Sequence, residues 1–152
     1  MRFKALFILA GTLALGACKL DVAQPSDSPS DPATETFASS LGINISQMTK
    51  TSAGVYYKDV KVGTGTELTS PVTVVITYNG FLKNGALFDS GSQITIPLSN
   101  SVFGFQDGMM GMREGGERLI VIPSALAYGS ANVQGIPPNS TLVFDVLLNQ
   151  IP

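Results

Sequence analysis

The stretch VTVVITYNGFLKNGALF, residues 72–88, decides how the chain folds. Its first seven residues alternate. Val72, Val74, Ile76 and Tyr78 share one face of an extended strand, and Thr73, Val75 and Thr77 share the other, because successive side chains of a strand point to opposite sides. Asn84-Gly85 then separates Phe81-Leu82-Lys83 from Ala86-Leu87-Phe88. Asn-Gly is a strong hairpin signal, since both central residues of a type I′ turn need positive φ. The stretch therefore predicts a strand folding back on its successor.

Similar patterns extend on either side. Residues 54–62 predict a strand rich in Val and Tyr that stops at Gly63-Thr64-Gly65. That GxG has no strand-to-helix context and reads as a turn. Residues 93–98 and 118–123 predict two further short strands, and residues 141–149 alternate, with Leu142, Phe144, Val146 and Leu148 on one face. Only residues 102–112 can be helical. Gly104, Gly108 and Gly111 make that helix weak on its own, so packing must hold it. The expectation is an α+β fold, with an antiparallel β-sheet wrapped around one short α-helix. No βαβ alternation supports a doubly wound sheet.

Composition removes many functions. The chain has 152 residues, 44% hydrophobic and only 13% charged, which is one domain with a modest core and some spare length. There is no histidine, which excludes Ser–His–Asp and Cys–His catalysis and His-ligated metal sites. The one cysteine excludes an intramolecular disulfide and a CxxC motif. A net charge of −2 gives no footprint for nucleic acid. Residues 108–116, GMMGMREGG, lack the Gly-Lys-Ser/Thr ending of a P-loop. No cofactor or metal is expected.

The first residues read as an address. Arg2 and Lys4 precede an apolar run over residues 5–16. About a dozen residues are too few to span a bilayer, which needs roughly 20, and they suit a signal-peptide h-region. The ending Leu15-Gly16-Ala17-Cys18 resembles the lipobox of bacterial lipoproteins. That resemblance implies cleavage before Cys18, lipidation of Cys18, and anchoring of the chain to a membrane of the cell envelope. Several acyl chains make a stable anchor at about 0.8 kcal/mol per buried CH₂. Lys19 in place of aspartate favours the outer membrane in a Gram-negative cell. Loss of Arg2 and Lys4 with residues 1–17 reduces nine basic side chains to seven against eleven acidic, a net charge of −4. Residues 18–50 are expected to form the lipidated N-terminus and a flexible tether, because the part through Phe37 is rich in Pro, Ser and Asp. Residues 41–48 carry scattered apolar side chains that could pack on the domain or form a short strand or turn. Residues 51–152 form the folded domain.

The remaining population of note is aromatic: Tyr78, Phe81, Phe88, Phe103, Phe105, Tyr128 and Phe144. Such a set in an antiparallel domain is ordinarily core. The order of motifs adds more. VITYNGFLKNGALFDS (75–90), PLSNSVFGFQDGMMGMREGGERLIVIPSALAYG (97–129) and GIPPNSTLVFDVLL (135–148) resemble an FKBP-type peptidyl-prolyl cis–trans isomerase over essentially the whole folded part. The resemblance implies a twisted antiparallel sheet curled round a short helix, with a proline pocket between them. It implies catalytic roles for Tyr78, Phe88, Asp89, Tyr128 and Phe144, and substrate-binding roles for Ile94, Val102, Phe105 and Ile136. The Val102 N–H and Tyr128 hydroxyl would hold carbonyls of the bound peptide. Three departures stand out. Phe105 replaces the usual tryptophan, Ser101 replaces a usual valine, and the segment after Asp89 lacks a common arginine.

The implied partners are proline-containing unfolded or flexible polypeptides, in particular envelope or secreted proteins, together with macrolide inhibitors. A monomer is expected. The other reading is a peptide-binding chaperone or adhesin module on the same fold, with weak or no turnover. Isomerisation needs no nucleophile, because no bond is made or cut, so the missing histidine is no obstacle.

Overall fold

The computed structural model describes residues 29–152. Six strands form one antiparallel sheet: β1 (Thr49–Lys50), β2 (Tyr56–Lys61), β3 (Thr73–Leu82), β4 (Leu87–Pro97), β5 (Glu117–Ile122) and β6 (Leu142–Gln150), in the order β1-β2-β5-β6-β3-β4. Among the described residues there is one α-helix, α1 (Phe103–Met109), between β4 and β5 in the chain. The expected α+β fold is present.

The alternating faces land as expected except at Val72, which precedes β3 and is exposed. Val74, Ile76, Leu142, Val146 and Leu148 are fully buried, and with Phe105, Met109, Ile120 and Ile122 they build the main core beneath α1. The glycines that weaken α1 are what seat it. A Cβ on Gly104 would stand 2.2 Å from Ile122 Cγ2, and one on Gly108 2.4 Å from Ile120 Cγ2. The helix can lie this close to β5 only because both positions lack a side chain. Arg118 fixes its far end. The buried guanidinium donates to the carbonyls of Gly108 and Met110 at 2.9 Å each, and to Asp59 Oδ1 at 2.6 Å.

Three expectations change. The Asn84-Gly85 turn is not type I′. The Gly85 N–H donates to Leu82 O at 2.9 Å, and Gly85 has φ +86° while Asn84 does not have positive φ. The loop is therefore one residue longer, with Lys83 and Asn84 at its centre and Gly85 alone left-handed. The Asn84 side chain accepts from the Ala86 N–H instead, an Asx-type bond that stabilises this alternative. Next, the short strand expected at 93–98 is the second half of an eleven-residue strand interrupted by a bulge.

The third change concerns the expected tether. Residues 18–28 lie outside the described residues. Residues 30–50 do not behave as a free coil: Phe37, Leu41, Ile43, Ile45 and Met48 cover the outer face of the sheet at Tyr56, Val121 and Val143. The Ala38 N–H donates to Lys83 O at 2.8 Å, Glu35 pairs with Lys83 at 2.8 Å, and β1 adds an edge to β2. Of the readings left open for residues 41–48, packing on the domain is the one found, and Phe37 from the Pro-, Ser- and Asp-rich part joins it.

Candidate active site

A concave cleft of about 210 Å³ opens between α1, the inner face of β3 and β4, and the loop before β6. Its lining includes Tyr78, Asp89, Ile94, Val102, Phe105, Tyr128 and Phe144. These are seven of the nine residues expected in the pocket.

The strand register explains how they meet. Tyr78 lies opposite Gly91, and Ile76 opposite Ile94, so Ser92 and Gln93 together face Thr77. This is a β-bulge. Gln93 takes φ +51°, and its N–H donates to Thr77 Oγ1 at 3.0 Å. Asp89 and Ile94 are five apart, an odd number, and would face opposite sides of a regular strand. The extra residue restores the phase, so both reach the cleft.

Three rings form the floor and wall. Phe105 and Phe144 are 4.9 Å apart between centroids at 68°, Tyr78 and Phe105 6.4 Å at 67°, and Tyr78 and Phe144 6.2 Å at 51°. These edge-on and tilted contacts suit the ring quadrupoles. Phe105 and Phe144 are buried, while Tyr128 is 41% exposed at the rim. The tryptophan that the resemblance would place at Phe105 is thus replaced by a ring that still closes the floor.

The polar groups at the wall are committed. The Tyr78 hydroxyl donates to Asp89 Oδ2 at 2.7 Å, and Asp89 Oδ1 accepts from the Ser90 N–H at 2.8 Å. Burial, then the bond to Asp89, pushes the Tyr78 phenol up to about 12, so it stays protonated at any ordinary pH. Ser101 donates its hydroxyl to Leu98 O at 2.5 Å and accepts Gln106 Nε2 on its carbonyl at 2.8 Å. The following Val102 N–H has no acceptor among the described residues.

Two expected residues stand outside the lining. Phe88 packs edge-on behind Phe144 at 5.6 Å, and Ile136 is buried in the core, its N–H bonded to Val133 O at 2.9 Å. Cys18 lies outside the described residues. Ile76, Ile96 and Asn100 join the lining without having been singled out. Ile76 shares the face of Tyr78, and Ile96 that of Ile94, so period-two counting could have found both. Asn100 carries no such signal.

The family model for FKBP-type peptidyl-prolyl cis-trans isomerase matches residues 65–149. The FKBP-type peptidyl-prolyl cis-trans isomerase FkpA of Escherichia coli (strain K12) is 41% identical over 118 residues, covering 75% of this chain and 42% of that protein. FK506-binding protein 4 of Emericella nidulans is 43% identical over 128 residues, covering 81% of this chain and 25% of that protein. The chain thus spans less than half the length of these curated relatives. The crystal structure of FkpA from Escherichia coli superposes with a TM-score of 0.64 at 41% identity, over 68% of this chain and 50% of that one. That of AtFKBP13 does so with a TM-score of 0.63 at 30% identity, over 70% of this chain and 99% of that one. On fold, motif order and family match together, the chain belongs to the FKBP-type peptidyl-prolyl cis–trans isomerase family.

Proposed function

We propose that the protein catalyses cis–trans isomerisation of Xaa-Pro bonds in flexible polypeptides, with the aromatic cleft as its active site. The observation that carries this reading is the enclosure of one concave space by Tyr78, Phe105 and Phe144, with a donor-bearing rim at Val102 and Tyr128.

Rotation about the prolyl amide breaks resonance, against a barrier of about 20 kcal/mol. A catalyst must favour the twisted amide over both planar forms. Twisting removes charge separation from the amide, so an apolar, water-poor cleft favours the twisted state relative to water. The rings hold the pyrrolidine while the preceding carbonyl swings. The Val102 N–H and the Tyr128 hydroxyl hold the rest of the chain. Tyr78, tied to Asp89, keeps its wall fixed rather than bonding the substrate. A millionfold acceleration requires about 8 kcal/mol of such preference.

The wider setting belongs to the same reading. Cys18 carries the lipid, the protein sits at the cell envelope with the outer membrane favoured, and its clients are envelope or secreted chains. The protein acts as a monomer, and macrolides of the FK506 type compete for the cleft. A protease-coupled assay on an Xaa-Pro peptide tests the activity. Acceleration well above the uncatalysed rate, suppressed by a macrolide, is the expected result. Peptide binding without acceleration would instead indicate a holding module. For the anchor, intact-mass measurement of the membrane fraction should find acylated protein that Cys18→Ser releases.

A further inference from the structure

We propose that Ser30 is a positioning residue for Tyr128, acting through Ser124, so that the segment preceding β1 forms part of the machinery of the cleft. The inference rests on the isomerase reading for its functional half and on geometry alone for its structural half.

Tyr128 is exposed at the rim, so core packing does not fix its ring. Its position is set by the backbone of residues 124–129. That loop begins with a 3-10 turn, Ser124–Leu126, directly after β5. Ser124 is completely buried, and its carbonyl accepts from the N–H groups of Ala127 at 3.0 Å and Gly129 at 2.8 Å. These two bonds bracket Tyr128. They hold it in place only as firmly as Ser124 itself is held.

What holds Ser124 comes from 94 positions earlier in the chain. The Ser124 N–H donates to Ser30 Oγ at 2.7 Å, and the Ser30 N–H donates to Ser124 Oγ at 2.8 Å. The pairing is reciprocal, as in a capping box, but its halves come from opposite ends of the domain. Pro123, at the cap position of the turn, offers no side-chain bond. Ser30 therefore supplies the cap that the local sequence lacks. A fully buried N–H needs a partner, and Ser30 Oγ is the acceptor it has among the described residues.

Other contacts steady the loop, among them the Leu126 N–H to Pro123 O at 3.0 Å and the Ala131 N–H to Tyr128 O at 3.1 Å, and none replaces this one. Leu126 rests on Gly104 of α1, where a Cβ would come within 3.0 Å of Leu126 O. The Asn139 N–H donates to Gly129 O at 2.7 Å. None of these contacts engages the Ser124 N–H or hydroxyl. The Ser30 pair secures its start.

The test uses the full chain and compares wild type, Ser30→Ala and Ser30→Thr. Amide hydrogen exchange is followed by NMR, and isomerisation is measured on an Xaa-Pro peptide. Ser30→Ala should speed exchange at Ala127 and Gly129 by about tenfold, the factor set by 1.36 kcal/mol, while β3 and β6 amides keep their rates. The kcat/KM should fall by several fold, and Ser30→Thr should restore both readouts. Unchanged exchange at Gly129 overturns the proposal. So does faster exchange with undiminished isomerisation. Lys83→Met, which breaks the ion pair with Glu35 in the same segment, should leave Gly129 exchange alone, and equal acceleration there overturns the assignment to Ser30. Wild type without turnover overturns the isomerase reading instead, and the exchange data still decide whether Ser30 holds the loop.

Discussion

Phe88 meets Phe144 edge to face, with ring centroids 5.6 Å apart and planes at 86°, and Gly80 leaves the space for the contact. A Cβ at Gly80 would stand 2.8 Å from Phe88 Cζ and 2.9 Å from Phe144 Cε1. Gly80 does not have positive φ, so alanine is allowed by the backbone and its cost is steric. Overpacking of this kind costs about 1–3 kcal/mol. Gly80→Ala should therefore displace Phe144 from the cleft wall and lower kcat/KM by about tenfold or more, as misplacement by about an ångström can. Isomerisation rates read beside a urea titration check this. A fully active, equally stable variant would show that Phe88 has no hold on the wall.

Tyr128 should separate activity from stability. It is 41% exposed, and substitutions at such surface positions usually stay within about 0.5 kcal/mol. Tyr128→Ala should unfold at nearly the wild-type urea concentration yet lose about tenfold in kcat/KM. Tyr128→Phe keeps the ring and should show how much of that loss belongs to the hydroxyl. Phe105→Ala is the contrasting case, because that ring is both floor and core. It should lose about 3–5 kcal/mol of stability along with activity.

Tyr78 predicts behaviour at alkaline pH. Its phenol rises from the ordinary 10.0 to about 12, chiefly through burial and then through the bond to Asp89. A raised pKa means that the folded state holds its proton longer than the unfolded chain. The associated stability is complete below pH 10 and is lost as the pH climbs through about 12. The stability of the wild type should therefore decline across that window more steeply than that of Tyr78→Phe, which has no phenol to ionise. Urea midpoints at pH 9 and above, each variant referenced to its own value at pH 8, measure the difference.

How much of this could be read from the sequence follows from which physical signals are local. The faces of β3 and β6 were legible because period-two alternation is written in adjacent residues, and Val74, Ile76, Leu142 and Leu148 are buried as that rule requires. The helix was legible in position, but the meaning of its glycines was not. Gly104 and Gly108 read as weakness until Ile122 and Ile120 appear against them. The phase shift at Gln93 was hidden as well, because a bulge depends on a partner strand and on the Thr77 hydroxyl. For the site, motif order pointed to seven residues that line one cleft. Phe88 and Ile136 were found by the same motifs, but their place behind the lining is a packing outcome that no spacing encodes. The bond between Ser30 and Ser124 spans nearly the whole domain, and neither serine stands out in its own neighbourhood.

The segment before β2 gives the last prediction. Phe37, Leu41, Ile43, Ile45 and Met48 lie half-buried over Tyr56, Val121 and Val143. Complete burial of one such side chain contributes about 1.5–3 kcal/mol, so five partial burials together contribute several. The Ala38 N–H bond to Lys83 O and the Glu35–Lys83 ion pair hold the segment in the same place. Deletion also uncovers the apolar sheet surface at Tyr56, Val121 and Val143. A chain beginning at Thr51 should therefore be less stable by about 2–4 kcal/mol, a large share of the 5–15 kcal/mol typical of a domain. It should also unfold with a lower m-value, because less surface is exposed on unfolding, and bind a hydrophobic dye where the wild type does not. Equal stability with a quiet dye would mean that the segment rests on the sheet without supporting it.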